Sequence, residues 1–462
     1  MHAIKEHPSP PKLGGSRVVV VGAQASGLAM ARFLLSRQAR VVLTDVRGWE
    51  ELGPAVAELA RDGAKLELGM HSSDTFAAAD LVAVSPGVPL SIAPIAEARR
   101  RGVRVVGEIE LASWFLQGIL IGITGTNGKS TTTALTAHLL SGAGLKATAC
   151  GNIGLPLTDL IPRDAPDHYY VVELSSFQLE AIDTFRPWIA ALLNLAPDHL
   201  DRYDSPLSYY HAKTRIFKNQ GPADNAILNR DDPEVWGMAG TLKSRLHPFS
   251  RALEVEDGAF LRDASIVVRS GGREIRSIPL EKVTLFGAHN IENVMTALLI
   301  ADLCGVPLPR AERGLASFRG LPHRLEKVRQ VGGVAYFNDS KATNVAATMK
   351  SLESFPRNVV LILGGKDKGG DFTELLPLIR GRVEHLVLMG QARDAIASQI
   401  GAAVPTTKVV TMAEAVEAAR SVAPAAGVVL LAPACASYDQ YTGFEARGED
   451  FRRLVLALEA GG

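Results

Sequence analysis

The sequence predicts an α/β protein of three domains, each built on a largely parallel sheet. Three observations predict it. Short apolar runs alternate with helical patterns along most of the chain, as strands joined by crossover helices do. At 462 residues the chain exceeds one ordinary core. Between about residues 250 and 285 the texture changes to short alternating runs around Gly271-Gly272, which reads as a small antiparallel patch.

Residues 1–115 form the first predicted domain. Its strands fall at Val18–Val21, Val41–Leu43, Leu81–Val84 and Val103–Val106. The turn from Gly22 to Gly27 resembles G-x-G-x-x-G, and Asp45 ends the next strand at the distance expected of a ribose-binding acid. This predicts a Rossmann-like domain. Gln24 stands where the middle glycine would let a pyrophosphate approach, which argues against an NAD-dependent oxidoreductase. The turn and the helix N-terminus still suit a phosphate, such as a UDP diphosphate. Ser85-Pro-Gly-Val-Pro89 follows a strand and lines the same crevice.

Residues 116–320 form the second. The apolar run Ile119–Ile123 is a buried strand, and Thr132–Leu140 reads as a helix. Between them lies Thr124-Gly-Thr-Asn-Gly-Lys-Ser-Thr131. A glycine-rich turn between strand and helix aims backbone N–H groups and a helix N-terminus at one point, which binds phosphate. Lys129 adds a positive charge and the Ser130 hydroxyl is placed to ligate Mg²⁺. The loop departs from the usual P-loop pattern: Ile123 occupies the first glycine position, and Gly125 is the extra glycine. The expectation is a P-loop ATPase-like domain that binds a nucleoside triphosphate. A nucleotide-switched regulatory or motor protein is the rival from another class.

Further strands are expected at Tyr169–Leu174, Ile189–Asn194 and Ala226–Asn229. Glu173, at a strand end, is placed to hold Mg²⁺. The loop Ala196-Pro-Asp-His-Leu-Asp-Arg-Tyr203 is dense in metal, proton-transfer and phosphate groups, His199 among them. Lys213 sits on a predicted helix, where a lysine is ordinarily a solvated surface charge. Asn290 and Asn293 share a helix face, where two amides read an adenine ring or serve as caps. Residues 321–462 form the third domain, Rossmann-like again, with strands at Val359–Leu363, Leu386–Met389 and Val428–Leu431.

Composition narrows the function. The chain is 47% hydrophobic and 21% charged, as soluble globular proteins are. Its 49 basic and 49 acidic residues argue against a nucleic-acid partner held by net charge. Three scattered cysteines fit neither a disulfide framework nor a zinc site, and a reducing cytoplasm suits them. The N-terminal tail, Met1 to Gly15, has no signal-peptide core, and no apolar run reaches about 18 residues, so no membrane span is expected.

Several motifs occur together and in order: Thr124-Gly-Thr-Asn-Gly-Lys-Ser, Gly151-Asn-Ile-Gly, Glu173-Leu-Ser-Ser, Asp198-His-Leu-Asp, Gly287-Ala-His-Asn-Ile-Glu-Asn and Leu321-Pro-His-Arg-Leu-Glu. In this the chain resembles the Mur ligases, ATP-dependent enzymes that form amide bonds in peptidoglycan synthesis. Asn338-Asp-Ser-Lys-Ala-Thr-Asn344, Leu363-Gly-Gly-Lys-Asp-Lys368 and the segment from Ser437 to Gly448 are similar to those of the D-glutamate-adding members.

The resemblance implies three small-molecule substrates, UDP-N-acetylmuramoyl-L-alanine, D-glutamate and ATP, with two Mg²⁺ ions, in a cytoplasmic monomer. It implies that Ala25, Ser26, Asp45, Arg47, Ser85 and Gly87 surround the UDP group, with Asn152, Ser175 and Gln178 along the rest of that substrate. Gly125, Thr126, Asn127, Gly128, Lys129, Ser130 and Thr131 would hold the ATP phosphates, and Asn290, Asn293, Arg324 and Asp339 the rest of the nucleotide. Lys213 matches the family lysine that is carbamylated, and Ser130, Glu173, His199 and Lys213 would form the metal shell. Lys341, Thr343, Lys368, Ser437 and Phe444 would surround D-glutamate. Lys129, His199 and Lys213 are the implied catalytic residues; His199 and His323 are alternatives for taking the amine proton.

Overall fold

In the computed structural model each of the three regions builds its own sheet. The structure describes residues 11–199, 202–285, 287–367 and 369–459. Contacts divide the chain into two compact units, Met1–Val283 with His289–Ala316, and Thr284–Ala288 with Ser317–Gly462.

The first sheet is all parallel, with strands β1 (Arg17–Val21), β2 (Arg40–Asp45), β3 (Lys65–Leu68), β4 (Leu81–Val84) and β5 (Arg104–Gly107) in the order β3-β2-β1-β4-β5. Strand β1 is central and, after Arg17, four consecutive buried valines, as a strand covered on both faces requires. The strand order reverses between β1 and β4, so the crevice for a ligand opens at their carboxyl ends. Strand β3, Lys-Leu-Glu-Leu, carries two charges on an edge and leaves no apolar run to read.

Two glycines set the turn after β1. Gly22 has φ 92°, a left-handed conformation. A Cβ on Gly27 would lie 1.7 Å from the Gly22 carbonyl oxygen, so only glycine lets the helix Ala25–Ser36 pack so close to the strand end.

The second sheet has nine strands: β6 (Ile119–Thr124), β7 (Ala147–Gly151), β8 (Tyr169–Glu173), β9 (Ile189–Leu192), β10 (Asn225–Asn229), β11 (Arg245–Ser250), β12 (Gly258–Arg262), β13 (Ser265–Ser270) and β14 (Arg273–Pro279). Their order is β14-β13-β12-β11-β10-β9-β6-β8-β7. The ladder is parallel from β7 to β12 and antiparallel only in the last two pairs, so the antiparallel patch extends the same sheet. Strand β9 stops at Leu192, two residues short of the sequence expectation, because Asn194 is diverted to the phosphate loop.

The first two sheets share one apolar core. They are also joined by Glu110, which lies on the helix Glu108–Ser113 after β5 and is 0% exposed. Its carboxylate accepts hydrogens from the N–H groups of Asp183, Thr184 and Phe185, each at 2.8 Å, just before β9. It also accepts from the Thr184 hydroxyl at 2.5 Å and from Trp114 Nε1 at 2.8 Å.

The second unit holds the third sheet: β15 (Glu326–Val331), β16 (Val334–Asn338), β17 (Val359–Gly364), β18 (Val383–Met389), β19 (Thr406–Lys408) and β20 (Val428–Leu431), in the order β15-β16-β20-β17-β18-β19. Only β15 runs antiparallel. The fully buried run of β17 places it at the centre.

Candidate active site

The phosphate loop joins β6 to the helix Lys129–Gly142, and its conformation is glycine-dependent. Gly125 has φ 152° and Gly128, the residue before the helix, φ 83°. A Cβ on Gly128 would stand 2.3 Å from Asn293 Oδ1. Lys129 Nζ donates to the carbonyls of Gly125 and Thr126, both at 2.9 Å, so its charge lies over the loop. Ser130 and Thr131 are buried in the first helical turn.

Asn194, which the sequence marks only as a strand end, clamps this loop. Its Oδ1 accepts from Asn127 N–H at 2.8 Å, its Nδ2 donates to Asn127 O at 3.2 Å, and its carbonyl accepts from Thr126 N–H at 2.9 Å. The amide thus pairs with a peptide group as a strand neighbour would. Asn194→Asp removes the donor and sets a negative charge beside the loop. The expected result is an ATP KM raised by about tenfold, the size of a lost neutral hydrogen bond with the repulsion of the added charge, measured by steady-state kinetics.

Lys213 faces three charged groups: Lys129 of the loop, Glu173 and Asp198. Glu173 ends β8, the neighbour of β6, and is 1% exposed. Its Oε1 accepts from Asn152 Nδ2 at 2.8 Å, while its Oε2 has no partner among the described residues. Gly151 makes the approach possible, since a Cβ there would lie 2.5 Å from the Glu173 carbonyl. Lys213, on the helix Pro206–Thr214, is 2% exposed, so it is not the solvated charge that a lysine on a helix ordinarily is. Its Nζ lies 4.6 Å from the centre of the Tyr209 ring, and the Tyr209 hydroxyl donates to Thr126 Oγ1 at 3.3 Å. Burial, reinforced by the Lys129 charge and opposed by Asp198 and Glu173, lowers the Lys213 ammonium to about 6. Near neutral pH this lysine is therefore an amine.

His199 follows in a left-handed turn, φ 52°, with its side chain 46% exposed. Its ring lies against Phe177, centre to centre 4.9 Å, and Nε2 lies 3.7 Å from Asp198 Oδ2. Leu200 and Asp201 of the same motif lie outside the described residues. Asn293 and Asn290 bond each other, Nδ2 to Oδ1 at 2.8 Å, and Thr132 Oγ1 donates to Asn293 Oδ1 at 3.1 Å. Both lie within the helix Ala288–Leu303, and Asn293 ties that helix to the phosphate-loop helix.

The first-sheet candidates gather at the carboxyl ends of β1, β2 and β4. Ala25 and Ser26 open a helix that has no side-chain cap, leaving its first N–H groups for an anion. Asp45 accepts from Ala23 N–H at 2.7 Å and from Arg47 Nε and Nη2 at 3.0 and 2.7 Å. Burial alone would raise this carboxyl, but the Arg47 and Ala23 bonds bring it down to about 2. Ser85 Oγ donates to the Gly22 carbonyl at 3.0 Å, and Gly87 follows in the same loop. Ser85 and Gln178 line one crevice with Glu108 and Phe177. Gln178 also closes a capping box with Ser175 at the start of the helix Ser176–Glu180.

The second unit carries the remaining candidates. Asp339 is buried and bonded by Ser351 Oγ; burial raises its carboxyl, against the pull of Ser351, Arg324 and Lys341. Lys341 Nζ lies 4.3 Å from the centre of the Phe444 ring. Thr343 follows in the same loop, its N–H donating to Lys341 O at 2.8 Å, and Ser437 is buried after β20. Lys368 lies outside the described residues. His323 is packed against Gly448, and its Nδ1 is 3.0 Å from Asn338 Nδ2.

Comparison with known proteins extends this picture. Residues 16–107 match the family model described as Mur ligase MurD-like, N-terminal domain; residues 123–301 match the Mur ligase middle domain, and 323–435 the Mur ligase glutamate ligase domain. A protein of Geotalea daltonii named UDP-N-acetylmuramoylalanine--D-glutamate ligase is 46% identical over 450 residues, covering 97% of this chain and 99% of its own. One of the same name from Acidobacterium capsulatum is 44% identical over 448 residues, covering 96% and 97%. Among solved structures, MurF from Acinetobacter baumannii superposes with a TM-score of 0.59 at 17% identity, covering 94% of this chain and 93% of its own. The UDP-N-acetylmuramate-alanine ligase MurC from Thermotoga maritima gives 0.57 at 20% identity, covering 96% and 99%. These two share the fold; the family follows from the models and the closely similar sequences, and by them the chain belongs to the Mur ligases.

Proposed function

We propose that this chain is an ATP-dependent ligase that joins D-glutamate to UDP-N-acetylmuramoyl-L-alanine in peptidoglycan precursor synthesis. One observation carries the reading. The phosphate loop, the half-unpartnered Glu173 and the neutral amine of Lys213 face one another in a chain 46% identical to a ligase of that name.

In the proposed reaction the substrate carboxylate attacks the γ-phosphorus of ATP and ADP leaves, giving an acyl phosphate. The D-glutamate nitrogen then attacks the carbonyl carbon, and phosphate leaves through a tetrahedral intermediate. The first step sets anion against anion, so positioning and charge screening govern it. The loop N–H groups and Lys129 hold the phosphates. The lone Glu173 oxygen suits a hard cation, and CO₂ added to the Lys213 amine would create a second carboxylate beside it. Glu173, carbamylated Lys213, Ser130 and His199 are the proposed holders of two Mg²⁺ ions. Bound Mg²⁺ supplies charge neutralisation between the triphosphate and the incoming carboxylate. His199 serves that shell or takes the amine proton. Asn290, Asn293, Arg324 and Asp339 are proposed for adenine, phosphate and ribose, and Lys341, Thr343, Lys368, Ser437 and Phe444 for D-glutamate. The first-sheet set with Asn152, Ser175 and Gln178 is proposed for the UDP substrate. No helix among the described residues is long and apolar enough to cross a membrane, and the substrates are small molecules.

Phosphate release measured with UDP-N-acetylmuramoyl-L-alanine, ATP and a panel of L- and D-amino acids tests the reading. D-Glutamate alone should give rapid release and an amide product. Equal release with L-alanine or a diamino acid, or release with no amino acid, would sink it.

A further inference from the structure

We propose that Arg447 is a positioning residue for the amino-acid site, fixing the three strand-end loops on which the D-glutamate candidates lie. This rests on the function proposed above. The loops follow β16, β20 and β17, which are consecutive neighbours in the third sheet. The first two carry Lys341 and Thr343, and Ser437; the third carries Lys366, and its candidate, Lys368, lies outside the described residues; Phe444 begins the helix Phe444–Leu456 to which Arg447 belongs.

Arg447 is 1% exposed. Its Nε donates to Ser340 Oγ at 2.9 Å and its Nη2 to Ser340 O at 2.9 Å and Cys435 O at 3.1 Å. Its Nη1 donates to Ala436 O at 3.3 Å and to Gly364 O at 3.4 Å. These carbonyls lie at or just beyond the strand ends, and Ala436 O also accepts from Lys366 N–H at 2.8 Å, which bridges two of the loops. A planar guanidinium with five N–H groups in a fixed fork satisfies such a set, and a lysine ammonium does not. Ser340 Oγ also donates to Phe444 O at 2.8 Å, tying the Phe444 backbone to the same point. Gly365 is shaped to this approach: φ is 138°, and a Cβ would lie 2.2 Å from Ala436 O and 3.0 Å from Arg447 Nη1.

Among the described residues no carboxylate lies within ion-pair distance of Arg447. The direct partners of the guanidinium are neutral dipoles, and Asp439 offsets its charge only at longer range. A dianionic amino acid is the ligand that a partly compensated cation favours. Arg447 thus acts twice, by holding the loops in register and by leaving positive charge beneath them.

Steady-state kinetics of Arg447→Lys in the full chain test this, because lysine keeps the charge and loses the fork. The D-glutamate KM should rise about tenfold or more, the equivalent of one lost charge-assisted hydrogen bond. The KM for ATP and for the UDP substrate should stay within about twofold, below what one such bond changes. An unchanged D-glutamate KM, or losses spread evenly over all three substrates, overturns the proposal. If R447K does not fold, Ser340→Ala removes two of the bonds, the one from Arg447 Nε and the one to Phe444 O, and should raise the D-glutamate KM a few-fold; a folded S340A with an unchanged value also overturns it. Should the unmutated chain prefer another amino acid, the D-glutamate reading fails separately, and the same split is read with that amino acid.

Discussion

Lys213→Ala should lower ligation by about 10³-fold, the order seen when a key electrostatic group is removed from a charged transition state. The side chain is buried behind Tyr209 and faces Glu173, Asp198 and Lys129. A cation there would repel Lys129 and compete with any metal, whereas a carbamate reverses the sign of the charge. Formation of the carbamate needs the neutral amine, and burial lowers the ammonium to about 6, so the amine is available at neutral pH. Acidification below about 6 protonates it and should strip the modification; ¹³C NMR of protein equilibrated with labelled bicarbonate reads this directly. Acetate or another small carboxylate should partly restore Lys213→Ala, since the alanine leaves a space where a carboxylate is missing. An alanine variant of near-normal rate, or a labelled sample without a carbamate signal above about pH 7, would remove Lys213 from the mechanism.

Glu110→Ala should be the most destabilising single change in the first unit, by about 3–5 kcal/mol. Truncation leaves the N–H groups of residues 183–185, that of Phe185 buried, without their acceptor, and leaves the Trp114 indole only the Thr184 hydroxyl at 3.1 Å. Each such loss costs about 1–3 kcal/mol. Glu110→Gln keeps one acceptor oxygen but turns an amide N–H toward N–H groups, so it should fall between wild type and alanine. Urea unfolding followed by tryptophan fluorescence measures the order, and Trp114 sits at the perturbed contact. A glutamine variant as stable as wild type would show that the second carboxylate oxygen is dispensable.

Much of the fold and site is legible in the sequence for a physical reason: local constraints write themselves into local residues. The phosphate loop needs two left-handed positions and a lysine within eight residues, and Thr124–Thr131 supplies them. Buried parallel strands such as β1 and β17 are unbroken apolar runs, and their residues announce them. Edge strands β3 and β7 escape such a reading, because a strand packed on one side tolerates charge and small residues. Burial of Lys213 is invisible for a different reason. Its helix is short and weakly patterned, and the groups that bury it come from segments tens of residues away. Asn194 and Arg447 belong to the same class: their partners are main-chain atoms of distant loops, and a backbone carbonyl leaves no trace in residue identity.

The glycine turn after β1 changes how such patterns should be searched. Gly27 is required by the distance between a helix and a carbonyl oxygen, whatever the ligand, whereas Gln24 stands just before that helix in extended backbone that any residue adopts. A pattern that weights the two equally will report dinucleotide binding wherever a helix packs tightly on a strand. Weighting the middle position separately would keep the tight packing of a helix on a strand from being read as dinucleotide binding.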